Sequence, residues 1–259
     1  MIFLMGARGF VGSAFARFFE KRKVSYVAIH RETYESFAGR KCDILINAAG
    51  NSKKYLADQD PLADFNQSVL LSLRALHDFR PTFYVLLSSV DVYPVLADPA
   101  KNHEGIMFDP LQSSIYGFHK RMAEFLVQKH AASWLIVRLA GMVGRGLKKN
   151  PVYDVLHERP LYVHPDTQYQ FMPTETVAHT VWRLIQNKIT NDIFNVCGQG
   201  LISPRQIAAL AKKPLNVSLL PADAVPRIVW VNTKKINKLM PMPQTSKTVT
   251  TYIEQATLA

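Results

Sequence analysis

Short apolar runs alternate with longer amphipathic stretches over the N-terminal part of the chain. Apolar runs of this length are typical of buried strands, whereas apolar positions at helical spacing are typical of helices that cover a sheet. The predicted strands are Ile2 to Met5, Val24 to Ile29, Asp43 to Asn47, Phe83 to Leu87 and Trp134 to Leu139. The predicted helices are Phe10 to Lys21, about Pro61 to Phe79 and about Ser113 to His130. This alternation indicates an α/β fold built on a doubly wound parallel sheet.

The pattern is less regular after Gly146. It predicts a helix from Thr174 to Gln186, a strand from Ile193 to Val196, a helix from Pro204 to Ala211 and two short helical stretches near the C-terminus. We therefore expect one domain of residues 1–145 and about 172–198, and a small second subdomain of about 146–171 and 199–259.

Length and composition narrow the class of protein. With 259 residues and 48% hydrophobic residues, the chain can bury a substantial core. The apolar opening is too short for a signal peptide, and no run approaches the roughly 18 apolar residues of a membrane span, so we expect a cytoplasmic protein without a membrane partner. Cys42 and Cys197, the two cysteines, are expected to be reduced, buried thiols, and the eight histidines show no metal-ligand spacing, so no metal site is expected.

The formal charge of +11 predicts a surface that attracts anions. The basic residues occur as dispersed pairs, without the long runs typical of nucleic-acid-binding tails, so a nucleic-acid partner is not favoured.

Three glycines, Gly6, Gly9 and Gly12, follow the first predicted strand and open the first predicted helix. In this context Gly6 permits a tight turn, Gly9 allows a pyrophosphate to approach the backbone, and Gly12 lets the helix pack on the strand. The N-terminus of the helix adds amide donors and the positive end of its dipole. The segment is therefore a candidate dinucleotide-binding turn.

The end of the second strand bears on which dinucleotide is bound. NAD-specific folds usually place an acidic residue there to bind the ribose 2′-hydroxyl, but this chain has His30 and Arg31. Arg31 and Arg8 could clamp a 2′-phosphate. NADP(H) is favoured, with NAD(H) as the alternative because Glu32 could bind the ribose instead.

Tyr116 and Lys120 lie four residues apart on a predicted helix, so both side chains share one face. A tyrosine is a poor base at neutral pH unless a neighbouring cation stabilises its phenolate, and Lys120 can be that cation. Ser89, at the end of a central strand, could orient a carbonyl or hydroxyl group beside the tyrosine.

These segments together resemble an extended short-chain dehydrogenase/reductase of the NAD(P)-dependent sugar epimerase/dehydratase family. The matching segments are Gly6-Ala-Arg-Gly-Phe-Val-Gly12, Asn47-Ala-Ala-Gly50, Leu87-Ser-Ser-Val-Asp-Val-Tyr93, Tyr116-Gly117 through Lys120 to Glu124, and Val137-Arg-Leu139.

The resemblance implies a Rossmann-type sheet with a small C-terminal substrate-binding subdomain, and an NADP(H)-dependent oxidoreductase or epimerase of the 4-keto-sugar reductase or sugar epimerase type. In that family, hydride moves between a nucleotide-sugar carbon and the nicotinamide. Tyr116 would be the acid/base, Lys120 would lower its pKa and hold the ribose, and Ser89 would bond the sugar oxygen. A homodimer is possible. The implied cofactor-binding residues are Gly6, Arg8, Gly9, Phe10, Val11, Gly12, His30, Arg31, Ala48, Ala49, Tyr116, Lys120 and Leu139.

Three positions depart from the pattern. Asp91 stands where dehydratases and decarboxylases of this type have a glutamate, so it is a candidate second acid/base, with a loop or helix-cap carboxylate as the alternative. Gly141 and Tyr169 replace a substrate-binding asparagine and arginine. One alternative is a non-catalytic dinucleotide-binding regulator of the same fold, and another, based on the charge of +11, is a nucleic-acid-binding relative.

Overall fold

The computed structural model describes residues 1–257. Its strands are β1 (Ile2–Met5), β2 (Tyr26–Ile29), β3 (Ile44–Asn47), β4 (Phe83–Ser89), β5 (Trp134–Leu139), β6 (Gly141–Val143), β7 (Gln168–Tyr169), β8 (Phe171–Pro173), β9 (Asp192–Val196) and β10 (Ile228–Val229). Its helices are α1 (Gly12–Arg22), α2 (Tyr34–Phe37), α3 (Lys54–Gln59), α4 (Pro61–Phe65), α5 (Leu71–Phe79), α6 (Ile115–His130), α7 (Pro151–Leu156), α8 (Thr174–Gln186), α9 (Pro204–Ala211), α10 (Lys234–Leu239) and α11 (Thr245–Thr257).

The chain forms two compact units. The first comprises Met1–Pro94, Met107–Leu139 and Val177–Phe194, and the second comprises Val95–Ile106, Ala140–Thr176 and Asn195–Ala259.

A parallel sheet organises the first unit, as the sequence predicts. Its six strands have the order β2-β1-β3-β4-β5-β9. The chain runs outward from β1 to β2 and then crosses back to β3 on the other side of β1, so the strand order reverses between β1 and β3. In open α/β sheets, ligands bind beyond the carboxyl ends of the strands at such a reversal. The turn that follows β1 lies at this point.

Large aromatic side chains cover the sheet of the first unit. Phe3 on β1 packs edge to face against Phe79 of α5, with ring centroids 5.6 Å apart. Phe19 of α1 packs against Trp182 of α8, with centroids 5.5 Å apart. Phe3, Phe19 and Phe79 are almost fully buried, so truncating any one to alanine would cost about 3–5 kcal/mol. This packing holds the strand ends that carry the candidate site.

The long helix predicted from Pro61 to Phe79 is not one regular helix. It consists of α4, a π-helical segment from Asn66 to Leu70, and α5. Asp60 caps its start by accepting a hydrogen bond from the amide of Ala63 at 2.9 Å. Periodicity in a sequence does not reveal the extra residue of a π segment, which is why the pattern missed it. Such segments occur often at functional sites.

The second unit contains short strand pairs and helices. β6 pairs with β8, β7 pairs with β10, and α9 begins with a capping box formed by Ser203 and Gln206. Buried Asn102 ties its loops together, because its amide donates to the carbonyl of Trp230 at 2.9 Å and its oxygen accepts from the amide of Asn232 at 2.9 Å.

Candidate active site and dinucleotide-binding turn

The glycine turn after β1 is as tight as its sequence predicts. Gly6 has a φ of +74°, and a side chain there would place its Cβ 2.7 Å from the carbonyl oxygen of Ala48. A Cβ on Gly12 would overlap the carbonyl oxygen of Gly6. Gly6 therefore requires glycine for both backbone conformation and space, and Gly12 requires it for space. Gly9, Phe10 and Val11 complete the turn, and α1 begins at Gly12.

Ala48 and Ala49 lie directly against this turn. The amide of Ala48 donates to the carbonyl of Met5 at 3.1 Å, and the amide of Ala49 donates to the side-chain oxygen of Asn47 at 3.1 Å. Asn47 is buried and also donates to the hydroxyl of Tyr84 at 2.8 Å. The buried asparagine thus holds the backbone after β3 beside the turn after β1.

His30 and Arg31 follow β2 at the same edge of the sheet. The Nδ1 atom of His30 is buried and has no hydrogen-bond partner among residues 1–257. Arg31 is exposed, and Arg8 lies 3.6 Å from Glu32 in a solvent-exposed ion pair. An exposed pair of this kind stabilises a protein by about 0–1 kcal/mol, so Arg8 can exchange Glu32 for another anion at little cost.

Ser89 ends β4 and contacts the carboxylate of Asp91. The hydroxyl of Ser89 donates to Asp91 Oδ2 at 2.7 Å, and it accepts a hydrogen bond from the amide of Asp91 at 3.2 Å. The other oxygen of this carboxylate lies 2.5 Å from the ammonium of Lys54. Lys54 belongs to α3, a helix that the sequence analysis did not predict.

Tyr116 and Lys120 lie one turn apart near the start of α6. Ser114 caps the helix by accepting a hydrogen bond from the amide of Gly117 at 3.2 Å. Both Tyr116 and Lys120 are buried, and the ammonium of Lys120 lies 5.6 Å from the centre of the Tyr116 ring. The Tyr116 hydroxyl points to the carbonyl oxygen of Asn51 at 3.5 Å.

Burial and charge shift the pKa of both groups. The pKa of Tyr116 is raised, first by burial and then by the charge of Asp91, while a hydrogen bond with Ser89 acts in the opposite direction. Burial lowers the pKa of Lys120, against the charges of Asp64, Glu124 and Asp91. At neutral pH Tyr116 is therefore a protonated phenol within reach of Ser89, which suits it to donate a proton.

A fully buried carboxylate, that of Asp64, is linked to the site through Asn51. Asp64 accepts hydrogen bonds from the amide of Asn51 at 2.7 Å and from Ser68 at 3.3 Å, and it lies 2.6 Å from Nδ1 of His119. Asn51 is the residue whose carbonyl faces Tyr116. Asn51, Asp64 and His119 are not among the predicted site residues. Asp64 and His119 are polar residues on helices and could be recognised as polar positions on an apolar helix face, whereas Asn51 lies in the loop after β3.

Leu139, the remaining predicted cofactor residue, ends β5 opposite Ser89 in the strand register. The structure therefore brings Leu139, Ser89, Asp91 and Tyr116 into one group at the ends of β4 and β5. Gly6, Ala48 and Ala49 form a second group at the ends of β1 and β3.

Comparison with known proteins identifies the family. The chain matches the NAD dependent epimerase/dehydratase family over residues 2–197 and belongs to it. It is an NAD(P)-dependent enzyme of the extended short-chain dehydrogenase/reductase type, as its sequence motifs indicate. No curated protein sequence matches the chain.

Several solved structures share this fold. MoeE5 in complex with UDP-glucose and NAD has a TM-score of 0.83 at 17% identity, with 100% of this chain and 99% of that chain covered. A dTDP-4-dehydrorhamnose reductase from Clostridium acetobutylicum has a TM-score of 0.76 at 18% identity, with 99% of each chain covered. A UDP-glucose 4-epimerase from Thermotoga maritima has a TM-score of 0.77 at 14% identity, covering 100% and 99%. At these identities the likeness establishes the fold.

No helix within residues 1–257 is long and apolar enough to cross a membrane. In the same range, no three His, Cys, Asp or Glu side chains are grouped so that they could hold a metal ion. The side chains of Cys42 and Cys197 are both buried, as predicted.

Proposed function

We propose that this chain is an NADP(H)-dependent oxidoreductase or epimerase that transfers hydride to or from a nucleotide-activated sugar. The observation that carries the proposal is the group formed by Ser89, Tyr116 and Lys120 at the carboxyl ends of the strands, in the same sheet as the glycine turn. A non-catalytic regulator of this fold would not need a buried tyrosine and lysine, whose burial costs free energy.

The residues of the first unit suit a dinucleotide. The backbone around Gly6 and Gly12 leaves no room for side chains and offers amides at a helix start to a pyrophosphate. The unpaired Nδ1 of His30 can accept or donate a hydrogen bond near the ribose. Arg31, with Arg8, favours the 2′-phosphate of NADP(H) over the free hydroxyl of NAD(H).

The chemistry then follows from the side chains. The nicotinamide, when bound, supplies or accepts the hydride. Tyr116 donates its phenolic proton to a keto oxygen in the reductive direction and recovers a proton in the oxidative direction. Lys120 stabilises the transient phenolate through its positive charge, and Ser89 orients the sugar oxygen. The second unit is proposed to bind the nucleotide-sugar.

Tyr116→Phe tests this function. We expect turnover of NADPH with 4-keto nucleotide sugars, followed by NADPH absorbance, to fall by about 10²-fold or more, because the variant lacks the proton donor. Calorimetry should show nearly unchanged NADPH affinity, because the phenol acts on the substrate.

Tyr26→Phe is the matched control, because Tyr26 begins β2, at the end of the strand opposite to the candidate site, and its hydroxyl donates to Glu20 at 3.0 Å in an exposed hydrogen bond. Full turnover by the Tyr116 variant would refute the assigned acid/base. Failure of the wild type to bind any UDP-, GDP- or dTDP-sugar alongside NADPH would refute the substrate class.

A further inference from the structure

Burial of Tyr116 raises the question of how its proton exchanges with solvent. The phenol is almost enclosed, and its hydroxyl faces the carbonyl of Asn51, which can accept a hydrogen bond but cannot carry a proton away. A tyrosine that gives up a proton in each catalytic cycle needs a route to recover it. The groups that touch Ser89 provide such a route.

We propose that Ser89, Asp91 and Lys54 form a proton relay that connects Tyr116 to solvent, a role that rests on the hydride-transfer function proposed above. The Ser89 hydroxyl donates to Asp91 Oδ2 at 2.7 Å and accepts from the amide of Asp91 at 3.2 Å, so one lone pair remains to accept from the phenol. The other carboxylate oxygen contacts Lys54 at 2.5 Å. Side-chain exposure rises from 12% at Asp91 to 61% at Lys54, so the relay leads outward.

Each transfer in the relay balances. In the oxidative direction, the O–H bond of Tyr116 breaks as one forms on Ser89, while the original Ser89 hydrogen moves to Asp91. The resulting phenolate accepts the proton of the sugar hydroxyl, and the oxidised nicotinamide, when bound, would accept the hydride. The Asp91 carboxyl then loses its proton to water. In the reductive direction the same groups return a proton to Tyr116 after it has protonated the keto oxygen.

Lys54 has two effects on this relay. Its charge balances the carboxylate of Asp91, which would otherwise lie beside the developing negative charge of the phenolate. Its three N–H donors also link the partly buried carboxylate to bulk water, because the ammonium itself is mostly exposed.

Variants at Asp91 distinguish a proton-transfer role of this residue from a purely structural one. Asp91→Asn keeps the size and the hydrogen-bond acceptor but cannot take up a proton, so we expect kcat to fall by about 10²-fold. KM and NADPH affinity should change little. Asp91→Glu restores a carboxylate and should recover most of the lost kcat, whereas a merely structural role would leave the longer side chain no better than the amide.

Lys54→Met should lower kcat less than Asp91→Asn, and Lys53→Met is its matched control, because Lys53 is an exposed neighbour. Equal turnover by wild type and Asp91→Asn, or no recovery in Asp91→Glu, would overturn the relay.

A measurement without turnover tests the link to Lys54. In protein labelled with ¹⁵N-lysine, the ammonium signal that Lys54→Met removes should change its ¹⁵N frequency in Asp91→Asn, because the carboxylate that it contacts is lost, while Lys53→Met leaves it unchanged. An unchanged frequency in Asp91→Asn would overturn the proposal whether or not any sugar is reduced. If the wild type reduces no nucleotide sugar, the proposed function fails separately from this link.

Discussion

Replacement of Glu124 tests how α6, the helix that carries Tyr116 and Lys120, is fixed to the sheet. Glu124 lies on α6, one turn beyond Lys120 and two beyond Tyr116. Its carboxylate is fully buried and accepts from Arg138 Nε at 2.9 Å and Nη2 at 2.7 Å, and from Ser88 at 2.6 Å. These contacts join α6 to β4 and β5, the strands that end at the candidate site.

Glu124→Gln removes the charge but keeps the shape. Arg138, which is 1% exposed, would then keep its positive charge without the carboxylate that balances it. Breaking a buried ion pair in this way costs about 3–5 kcal/mol. We therefore expect the free energy of unfolding, measured in urea, to fall by an amount near the lower end of that range. Tryptophan fluorescence, from the three tryptophans, can follow the transition.

Two further variants test the reasoning. Glu35→Gln alters an exposed ion pair, in which the side chain of Glu35 is 74% exposed and that of Arg74 is 48% exposed. This replacement should cost about 0–1 kcal/mol of stability. The double replacement Glu124→Leu with Arg138→Met removes both charges and should recover most of the lost stability. A loss below about 1 kcal/mol for Glu124→Gln would refute the assigned role of the pair.

The pH dependence provides an independent test of the same pair. Burial raises the pKa of Glu124, but the charge and hydrogen bonds of Arg138, with help from Arg121 and Ser88, outweigh it and hold the pKa below its ordinary value of 4.5. A carboxyl with a lowered pKa in the folded state stabilises the protein above that ordinary value. This stabilisation is lost as the pH falls through the lowered pKa. The difference in stability between wild type and Glu124→Gln should therefore narrow in acid, and a constant difference would contradict the assignment.

Two other replacements test the dinucleotide turn and the cofactor preference. Gly12→Ala should destabilise the fold by about 1–3 kcal/mol and weaken NADPH binding in calorimetry, because the new Cβ overlaps the carbonyl of Gly6. Gly105→Ala is the control, since a Cβ there meets only the His103 side chain at 3.6 Å, and equal effects of the two would argue against the tight turn. Arg31→Ala should weaken NADPH binding about tenfold or more with little change for NADH, because a charge-assisted hydrogen bond to the 2′-phosphate is lost. Equal losses of affinity for NADPH and NADH, or a matching effect from Arg40→Ala, would mean that Arg31 does not bind the 2′-phosphate.

The sheet and its helices could be predicted from the sequence where the signal is local. β1 and β5 begin and end at the predicted residues, as do α8 and α9, because their hydrophobic spacing and flanking residues act within a few positions. The π-helical segment and the short helix α3 were not predicted. A single extra residue in a helix, or one turn of helix, leaves too weak a periodic signal to be recognised.

The candidate site likewise has residues that the sequence predicts and residues that it does not. Gly6, Gly9 and Gly12 form a contiguous motif, and Tyr116 and Lys120 share a helix face by spacing alone, so the sequence identifies them and the family they belong to. The supporting charges were not predictable, because each pair joins residues far apart in the chain.

Lys54 and Asp91 are 37 residues apart, and Asp64 and His119 are 55 residues apart. Helix and strand periodicity determined which faces are buried, but only the packing of α3, α4 and α6 around the end of β4 decided which polar groups meet there. The sequence by itself determined the fold class and the candidate reacting residues. The tertiary structure decided what neutralises, orients and connects them, because buried charges are stabilised only by partners that folding brings within hydrogen-bond distance.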